Sequence, residues 1–245
     1  TKEVVYVNDY ELAIVRPDEL ILKNLGNEKI TPFVTKLDME LAAIEKGGYD
    51  HFMLKEIYEQ PRSVRDSMRG RLKANEGEIR MGGIIDHEKK FEKAKRIIFV
   101  ACGTSWHACL VGEYLFEEFA RVPVEVEYAS EFRYRNPVIY QDDIVIAISQ
   151  SGETADTLAA VELAKSKGAT VLGVCNVVGS SIARATHGGS YTHAGPEIGV
   201  ASTKAFTSQL AAIMLVALYL GRTRRLSQRE GMEIAQAIER IPEQI

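Results

Sequence analysis

DIVIAISQSGETADTLAAVELAKSK, residues 143–167, joins an apolar run to a helical pattern through a loop rich in hydroxyl groups. Apart from its first residue, the run 143–148 is apolar throughout, which is typical of a strand buried on both faces. Residues 155–167 place Ala, Leu and Val on one face of a helix. A buried strand followed by such a helix is the repeating unit of a parallel α/β sheet. This stretch therefore predicts an α/β fold.

The same alternation continues on both sides of this stretch. Further strand-like runs and helical patterns follow one another along the chain, with strands at 96–100, 122–128, 170–175 and 189–192 and helices at 107–120 and 204–220. We therefore expect a doubly wound parallel sheet flanked by helices, with a further helix at 227–241 packed outside it. Right-handed crossovers put the strand-to-helix loops of such a sheet at one edge, where ligands bind.

The first part of the chain has a different pattern. Strand-like runs at 4–7, 12–15 and 20–25 are separated by turn residues and predict a short antiparallel β segment. Three short strands make a marginal sheet, and the sequence opens without Met in a strand-like run. We therefore expect the chain to be a piece of a longer protein whose upstream part completes this sheet.

A connector and a helical stretch lie between these two patterns. Residues 35–50 are charged and end in Gly47-Gly48, which indicates a linker. Residues 51–71 have near-helical apolar spacing, and Pro61 within them predicts two helices or a kink. Residues 75–83 contain three glycines and are expected to form a loop.

Composition argues against some classes of function. The 245 residues are 46% hydrophobic and carry a net charge of −4, which argues against nucleic acid as a partner. No run reaches the roughly 18 apolar residues of a membrane span, and the longest, 210–220, is short enough for a buried helix. The cysteines form no CxxC pair and favour a reducing, cytoplasmic setting: Cys102, Cys109 and Cys175. One group of arginines is interpreted as a solvated loop and helix start: Arg222, Arg224, Arg225 and Arg229.

Three loops near the predicted sheet edge carry the polar chemistry. Loop one is residues 102–105 (CGTS), loop two is 149–154 (SQSGET), and loop three is 195–203 (GPEIGVAST). Each combines hydroxyls, a glycine and a following helix N-terminus, whose unpaired N–H groups suit a phosphate. The alternative is that these serines and threonines are helix caps that bind nothing. Loop two contains no Lys or Arg, so we expect a metabolite site of moderate affinity that works through oriented dipoles.

Competing motifs are weak. No GxGxxG follows a strand and no GxxxxGK[ST] occurs, so neither a dinucleotide fold nor a P-loop is supported. The five histidines show no metal-ligand spacing with cysteines or acidic residues, and we expect no metal and no cofactor. Cys102 and His107 suggest a nucleophile pair, but their spacing gives no reason for them to meet. Cys102 is interpreted as a small strand-end residue.

Loop two, directly after an apolar strand, resembles the signature of sugar isomerase (SIS) domains. A narrower resemblance is to the glutamine–fructose-6-phosphate aminotransferases (isomerizing), also called glucosamine-6-phosphate synthases. It rests on five segments in this order: HFMLKEIYEQP (51–61), ACGTS (101–105), ASEFRYR (129–135), SQSGETADTLAA (149–160) and EIGVASTKAF (197–206). The resemblance extends over essentially the whole chain.

In that family a glutaminase domain precedes two SIS subdomains. The resemblance implies that residues 1–36 are the last strands of a glutaminase domain, 37–50 a linker, and 51–245 the first SIS subdomain with its N-terminal helices. It places the glutaminase nucleophile, the acid–base glutamate and the second SIS subdomain outside these residues. No catalytic residue is therefore expected in this piece, which should be inactive alone.

The resemblance also implies which residues hold the substrate. Phosphate contacts are expected from five side chains: Ser105, Ser149, Gln150, Ser151 and Thr154. Sugar contacts are expected from five further positions: Cys102, Gly103, Thr104, Val200 and Ser202. Lys204 follows loop three, and a structural role at a helix end is an equal alternative for it.

The activity implied for the parent protein is conversion of fructose 6-phosphate and glutamine to glucosamine 6-phosphate and glutamate. The resemblance further implies a cytoplasmic homodimer without nucleic-acid or membrane partners, acting toward UDP-N-acetylglucosamine. An alternative is a non-catalytic SIS module that senses a sugar phosphate for a regulator. Such modules usually follow a basic helix-turn-helix, whereas a β segment stands upstream here. A purely structural scaffold with capped helices is the third interpretation.

Overall fold

The structure describes residues 3–36 and 45–245. The first of these stretches contains short antiparallel strands joined by turns. In this computed structural model, β1 (Glu3–Val5) pairs with β5 (Val34–Lys36), and a meander joins β2 (Glu11–Arg16), β3 (Glu19–Asn24) and β4 (Lys29–Ile30). The predicted antiparallel segment is thus confirmed. Strands β4 and β5 were missed because two or three residues are too few to show an alternating pattern. The prediction of a connector starting at residue 35 is wrong for residues 35–36, and residues 37–44 lie outside the described residues.

Contacts divide the chain into two units, Thr1–Glu45 and Lys46–Ile245. The second unit alternates strands and helices along the chain, as predicted. Its elements are α1 (Phe52–Met68), β6 (Leu72–Lys73), β7 (Glu78–Ile79), α2 (Gly82–Ile85), α3 (Glu88–Lys93), β8 (Arg96–Ala101), α4 (Gly103–Ala120), β9 (Val124–Tyr128), α5 (Ala129–Tyr134), β10 (Asp143–Ser149), α6 (Ala155–Ser166), β11 (Thr170–Cys175), α7 (Ser181–Ala185), β12 (Gly188–Tyr191), α8 (Lys204–Arg224) and α9 (Gln228–Gln244).

A parallel sheet of five strands in the order β12-β11-β10-β8-β9 lies at the centre of this unit. Alternate residues of β8 enter two separate cores. Ile97 and Phe99 pack with α1, α4, α8 and α9, whereas Ile98 and Val100 pack with α5, α6 and α7. Because both faces are covered by helices, the strands read as continuous apolar runs. The predicted doubly wound α/β class is confirmed.

Helix α1 runs without interruption through Pro61, so of the two predicted alternatives, two helices or a kink, the first is wrong. A proline has no N–H and leaves the carbonyl four residues earlier without its helical donor. Here that carbonyl belongs to Ile57, and the side-chain amide of Gln60 donates to it at 3.0 Å. A local side chain thus replaces the missing backbone bond.

Residues 75–83 were predicted to be a loop, and this prediction is wrong for part of them. They include the second strand of a hairpin and the start of α2. Strands β6 and β7 pair through Leu72 with Ile79 and Lys73 with Glu78. The turn between them contains Gly77, whose φ of +64° suits glycine. The helices α2, α3, α5 and α7 were not predicted, because four to six residues are too few to establish a helical period.

An ion-pair network closes the amino edge of the sheet. Arg96 donates through Nε to Asp143 Oδ1 at 3.2 Å and through Nη1 to Glu125 Oε1 at 2.7 Å, and its Nη2 also meets Asp143. Hydrogen bonding of the Arg96 guanidinium to the Asp143 carboxylate is the main reason that the pKa of Arg96 is raised above its usual value. The charged groups at this edge of the sheet therefore have a structural use.

Helix α8 is the central helix of one core. By length and composition it is apolar enough to cross a membrane, but 78% of its most apolar window is buried inside the protein. It packs against both α1 and α4. Its apolar character is thus explained by burial on several sides, in agreement with the predicted core helix.

Candidate functional site

The strand order changes direction between β8 and β10. From β8 the chain passes through α4 to β9 on one side, whereas β10 lies on the other side of β8 and leads on to β11. Helix α4 packs on one face of the sheet and α6 on the other. The loops after β8 and β10 therefore diverge and leave a crevice between them. In open α/β sheets such a switch point is where ligands bind.

Loop one lies mostly within the first turn of α4, which begins four residues earlier than the predicted helix. Cys102 is the extended N-cap residue, and Gly103 has a φ of +58°. Gly103 and Thr104 are exposed, whereas Ser105 is buried. The first N–H groups of a helix have no partner within it and carry a partial positive charge. Loop one therefore offers backbone donors as well as hydroxyls to the crevice.

Ser105 is oriented by a residue of α8. The side-chain amide of Gln209 donates to Ser105 Oγ at 3.0 Å, and both residues are buried. Since Ser105 Oγ accepts this bond, its own hydrogen is left to donate elsewhere. A hydroxyl set up as a donor suits a phosphate, whose oxygens accept hydrogen bonds.

Loop two is curled by its own hydroxyls. Ser149 Oγ accepts from the N–H of Gly152 at 3.0 Å and lies 3.4 Å from Thr154 Oγ1, while Ser151 Oγ accepts from the N–H of Glu153 at 3.2 Å. Gly152 has a φ of +67°, and a Cβ there would lie 2.0 Å from Ser180 Oγ. The tight turn at Gly152 thus needs glycine, and it gathers the hydroxyls of loop two at the end of β10.

The interpretation of these residues as helix caps is not supported by the geometry. Cys102, Thr154 and Thr203 are the N-cap residues of α4, α6 and α8, and none of their side chains makes a capping hydrogen bond. By contrast, Ser227 caps α9 by accepting from the N–H of Glu230. The side chains at these three N-cap positions are therefore not used as caps of their own helices.

Loop three runs from β12 to α8 and is anchored at several points. Asn176, just after β11, accepts through Oδ1 from the N–H of Ala194 at 2.8 Å and donates to the carbonyl of Gly195 at 2.7 Å. Glu197 accepts from the N–H groups of Thr203 and Ala205 at 2.9 and 3.1 Å. Between these anchors, Val200 is fully exposed and Ser202 is half-buried.

Loops one and two come from neighbouring strands whose register pairs Val100 with Ala147. Adjacent strands lie about 4.8 Å apart, so Cys102 and Ser149, each two residues further on, share the same edge. Thr157 of α6 donates to Cys102 Sγ at 3.8 Å, which connects loop one with the helix that follows loop two. The predicted phosphate residues are thus brought to one crevice.

The structure bears on two questions that the sequence leaves open, a Cys102–His107 pair and the role of Lys204. The Nδ1 atom of His107 lies 2.9 Å from the carbonyl oxygen of Gly103, whereas Cys102 contacts Thr157, so the geometry gives no support to a Cys102–His107 nucleophile pair. Lys204 is buried and donates to Glu59 Oε2 at 2.6 Å. Of the two alternatives for Lys204, this ion pair favours the structural role at the helix end.

Cys175 lies beneath loop two and is chemically quiet. Burial raises the pKa of its thiol to about 11, with the nearby Glu153 carboxylate adding to the effect and Ser180 opposing it. Burial also raises the pKa of Cys109 well above its usual value. Both thiols are therefore neutral at physiological pH and act as small core groups.

A cavity of about 310 Å³ lies at the opposite, amino edge of the sheet, near the first residues of β10 and β11. Its lining includes three exposed lysines and none of the residues of the three loops: Lys89, Lys90 and Lys93. Among the described residues, no cluster of three or more His, Cys, Asp or Glu side chains could hold a metal ion. The candidate site is the crevice between β8 and β10, because the hydroxyl-rich loops one and two and the N-terminus of α4 meet at this switch point.

The parallel α/β sheet and its hydroxyl-rich crevice are those expected of a SIS domain. The SIS domain family matches residues 90–219, so the chain belongs to this family. Over its whole length the chain is 56% identical to glutamine–fructose-6-phosphate aminotransferase (isomerizing) from Chlorobaculum tepidum. It is 45% identical to the enzyme of the same name from Saccharomyces cerevisiae over 100% of the chain and 35% of that protein. These matches confirm the resemblance seen in the sequence.

A solved structure extends the similarity to three dimensions. The C-terminal domain of glucosamine-fructose-6-phosphate aminotransferase from Francisella tularensis superposes with a TM-score of 0.77 and 41% identity. The match covers 81% of this chain and 56% of that one. The chain spans about 40% of the length of the Chlorobaculum relative.

Several residues of the site were missed by sequence reasoning. Four residues hold the loops but lie outside them: Gln209, Asn176, Glu56 and Glu59. Glu56 is 142 positions from its partner Ile198 in the sequence, and Gln209 is 104 positions from Ser105. The HFMLKEIYEQP segment contains Glu56 and Glu59, but its pattern assigns no role to either glutamate. Residues that act on other residues through space leave no local pattern.

Proposed function

We propose that this chain is the sugar-phosphate-binding part of a glutamine–fructose-6-phosphate aminotransferase and that the crevice binds fructose 6-phosphate or glucosamine 6-phosphate. The observation that carries the proposal is the convergence of two hydroxyl-rich loops and the N-terminus of α4 at the switch point between β8 and β10. The identity over the whole chain supports the choice of this substrate among sugar phosphates.

The two halves of the substrate are assigned to different loops. The phosphate is bound by Ser105 and by loop two through Ser149, Gln150, Ser151 and Thr154. The sugar is lined by Cys102, Gly103 and Thr104 of loop one and by Val200 and Ser202 of loop three. Phosphate binding is remote from the reacting carbons C1 and C2, so it provides orientation and binding energy rather than bond chemistry.

The parent protein is proposed to take ammonia from glutamine, to aminate fructose 6-phosphate at C2, and to isomerise the product to glucosamine 6-phosphate. Residues 1–36 are assigned to the end of its glutaminase domain, 37–50 to a linker, and 51–245 to its first SIS subdomain. The parent is further proposed to be a cytoplasmic homodimer that supplies UDP-N-acetylglucosamine synthesis. No cofactor is required by this scheme.

The test is a thermal-shift titration of the 245-residue chain with fructose 6-phosphate and with fructose. We expect a rise in Tm with fructose 6-phosphate only, because loop two is proposed to bind the phosphate group. The combined change Ser149→Ala and Ser151→Ala should abolish the shift, since each hydrogen bond to a charged phosphate contributes about 1.5–3 kcal/mol.

Ser166→Ala is the matched control, because Ser166 is exposed on α6 and its hydroxyl donates to the carbonyl of Leu163 in the same helix. It should leave the shift unchanged. Equal shifts with fructose and fructose 6-phosphate would contradict the phosphate site. No shift with either would favour the scaffold interpretation.

A further inference from the structure

Helix α1 contacts loop three in a way that the proposed function leaves without a role. Glu56 of α1 is only 2% exposed. Its Oε1 atom accepts from the N–H of Ile198 at 2.6 Å and from that of Gly199 at 3.1 Å, and its Oε2 atom lies 3.1 Å from the same Gly199 nitrogen. One buried carboxylate thus holds two consecutive peptide N–H groups of loop three.

Burial of a carboxylate is costly because the charge loses its hydration, and hydrogen bonds must replace it. Within the described part of the chain, the hydrogen bonds of Glu56 go to these two backbone groups. Hydrogen bonds between N–H groups and a charged acceptor are stronger than neutral ones. The geometry of loop three at Ile198 and Gly199 is therefore strongly determined by Glu56.

The backbone of loop three lies directly against α1. A Cβ added at Gly199 would lie 2.5 Å from Glu56 Oε2 and 3.3 Å from the Cα of Met53. One turn further along α1, Glu59 accepts from Lys204 Nζ at 2.6 Å, where loop three enters α8. Helix α1 thus fixes loop three on both sides of residues 200–203, the segment that contains Val200 and Ser202.

We propose that Glu56 is a positioning residue for the sugar half of the site: it holds loop three so that Val200 and Ser202 line the crevice. This inference rests on the proposed function. Loops one and two are held by their own hydrogen bonds and by Gln209, none of which involves Glu56. Loss of Glu56 should therefore weaken contacts to the sugar and leave contacts to the phosphate intact.

The experiment compares the affinities of fructose 6-phosphate and inorganic phosphate for the 245-residue chain by calorimetric titration. We expect Glu56→Ala to weaken fructose 6-phosphate binding about tenfold, which corresponds to the loss of about one hydrogen bond to the sugar. The affinity for inorganic phosphate should change less than about twofold. Glu56→Gln keeps an acceptor without the charge, so its effect should be smaller. Amide hydrogen exchange at Ile198 and Gly199 should accelerate in both variants.

A second substitution in loop three and a control on α1 complete the test. Gly199→Ala should reproduce the Glu56→Ala phenotype, because its methyl group would collide with the Glu56 carboxylate. Combined with Glu56→Ala, it should add little further loss. Arg62→Ala is the control on the same helix, since the Arg62 side chain is 84% exposed and faces Asp66 rather than loop three.

The possible outcomes distinguish failure of the positioning role of Glu56 from failure of the proposed function. If the wild-type chain binds fructose 6-phosphate and Glu56→Ala binds it equally well, the positioning role is wrong and the proposed function stands. Equal weakening of phosphate and fructose 6-phosphate would also overturn it, because Glu56 would then act on the fold as a whole. A wild-type chain that binds neither ligand would overturn both proposals.

Discussion

Gly103 shows how a single residue can serve both the backbone and the site. Its φ of +58° is in the left-handed region, and a Cβ built on it would meet nothing within 4 Å. The backbone there faces open space at the start of α4, where a ligand is proposed to lie. The glycine is thus required by conformation and also leaves room for a close approach to the sugar.

At the residue scale, Gly103→Ala should therefore abolish the thermal shift with fructose 6-phosphate. The variant should also lose about 1–2 kcal/mol of stability from the left-handed conformation. Gly70→Ala is the matched control, because Gly70 has a φ of +72° and also has nothing within 4 Å. It should cost similar stability in urea unfolding without changing the response to ligand. Equal ligand responses of the two variants would contradict the assignment of Gly103 to the site.

The cysteines allow a second test at this scale. Cys102 is half-buried at the crevice, whereas Cys109 and Cys175 are buried and their pKa values are raised by burial. Iodoacetamide needs access to the sulfur, so at pH 7.5 it should label the partly exposed Cys102 and spare the two buried cysteines until the protein unfolds. Fructose 6-phosphate, but not fructose, should slow this labelling. Mass spectrometry checks the site, and Cys102→Ser should remove the label.

At the element scale, most helices of the second unit are defined by what they pack against, but α9 also has a local start signal. Ser227 and Glu230 form a capping box, in which Ser227 Oγ accepts from the N–H of Glu230 and Glu230 Oε2 accepts from the N–H of Ser227 at 2.8 Å. These bonds lower the pKa of Glu230 below its ordinary value of 4.5. The folded state therefore favours the charged carboxylate, and this contribution is present above pH 4.5 and is lost at lower pH.

Ser227→Ala should destabilise the protein by about 1 kcal/mol at pH 7, the usual contribution of an N-cap. The difference from wild type in urea unfolding should shrink as the pH falls below 4.5, because Glu230 then becomes protonated and leaves the capping box. The exposed Ser166→Ala change serves again as the control and should be nearly neutral. A pH-independent difference would mean that the carboxylate does not take part in the cap.

At the scale of the whole molecule, the second unit is a doubly wound sheet with the proposed ligand-binding loops at one edge and an ion-pair network at the other. The chain spans about 40% of the Chlorobaculum relative, and the resemblance places the acid–base groups in a second SIS subdomain. The crevice between β8 and β10 is proposed to contribute binding and orientation of the substrate. Chemistry at C1 and C2 is assigned to groups outside these residues.

We therefore expect the purified 245-residue chain to bind fructose 6-phosphate and to form no glucosamine 6-phosphate from it with ammonia. The measurement is a sensitive product assay by mass spectrometry, run beside a full-length relative as the positive control. Turnover by the chain alone would show that the catalytic groups lie within it, and the assignment of chemistry to a second SIS subdomain would then be wrong.

The sequence by itself determined the α/β class, the five parallel strands, the long helices and the three candidate loops. Buried strands and amphipathic helices carry their pattern locally, as residues 143–167 show, because each residue's burial follows from its own element. The short helices and strands were not predicted because they contain less than two periods of any pattern. The continuation of α1 through Pro61 was not predicted either, because the Gln60 side chain satisfies the carbonyl that the proline leaves free.

Only the tertiary structure decided how the loops are held. Gln209 orients Ser105 from another helix, and Glu56 holds Ile198 and Gly199 from about 140 residues away in the sequence. Residues 143–167 predicted the strand and the loop, and the structure added the neighbouring strand β8 and the crevice between the two. The physical reason is that a buried polar group must find partners in space, and the chain fold determines which distant residues are close enough to provide them.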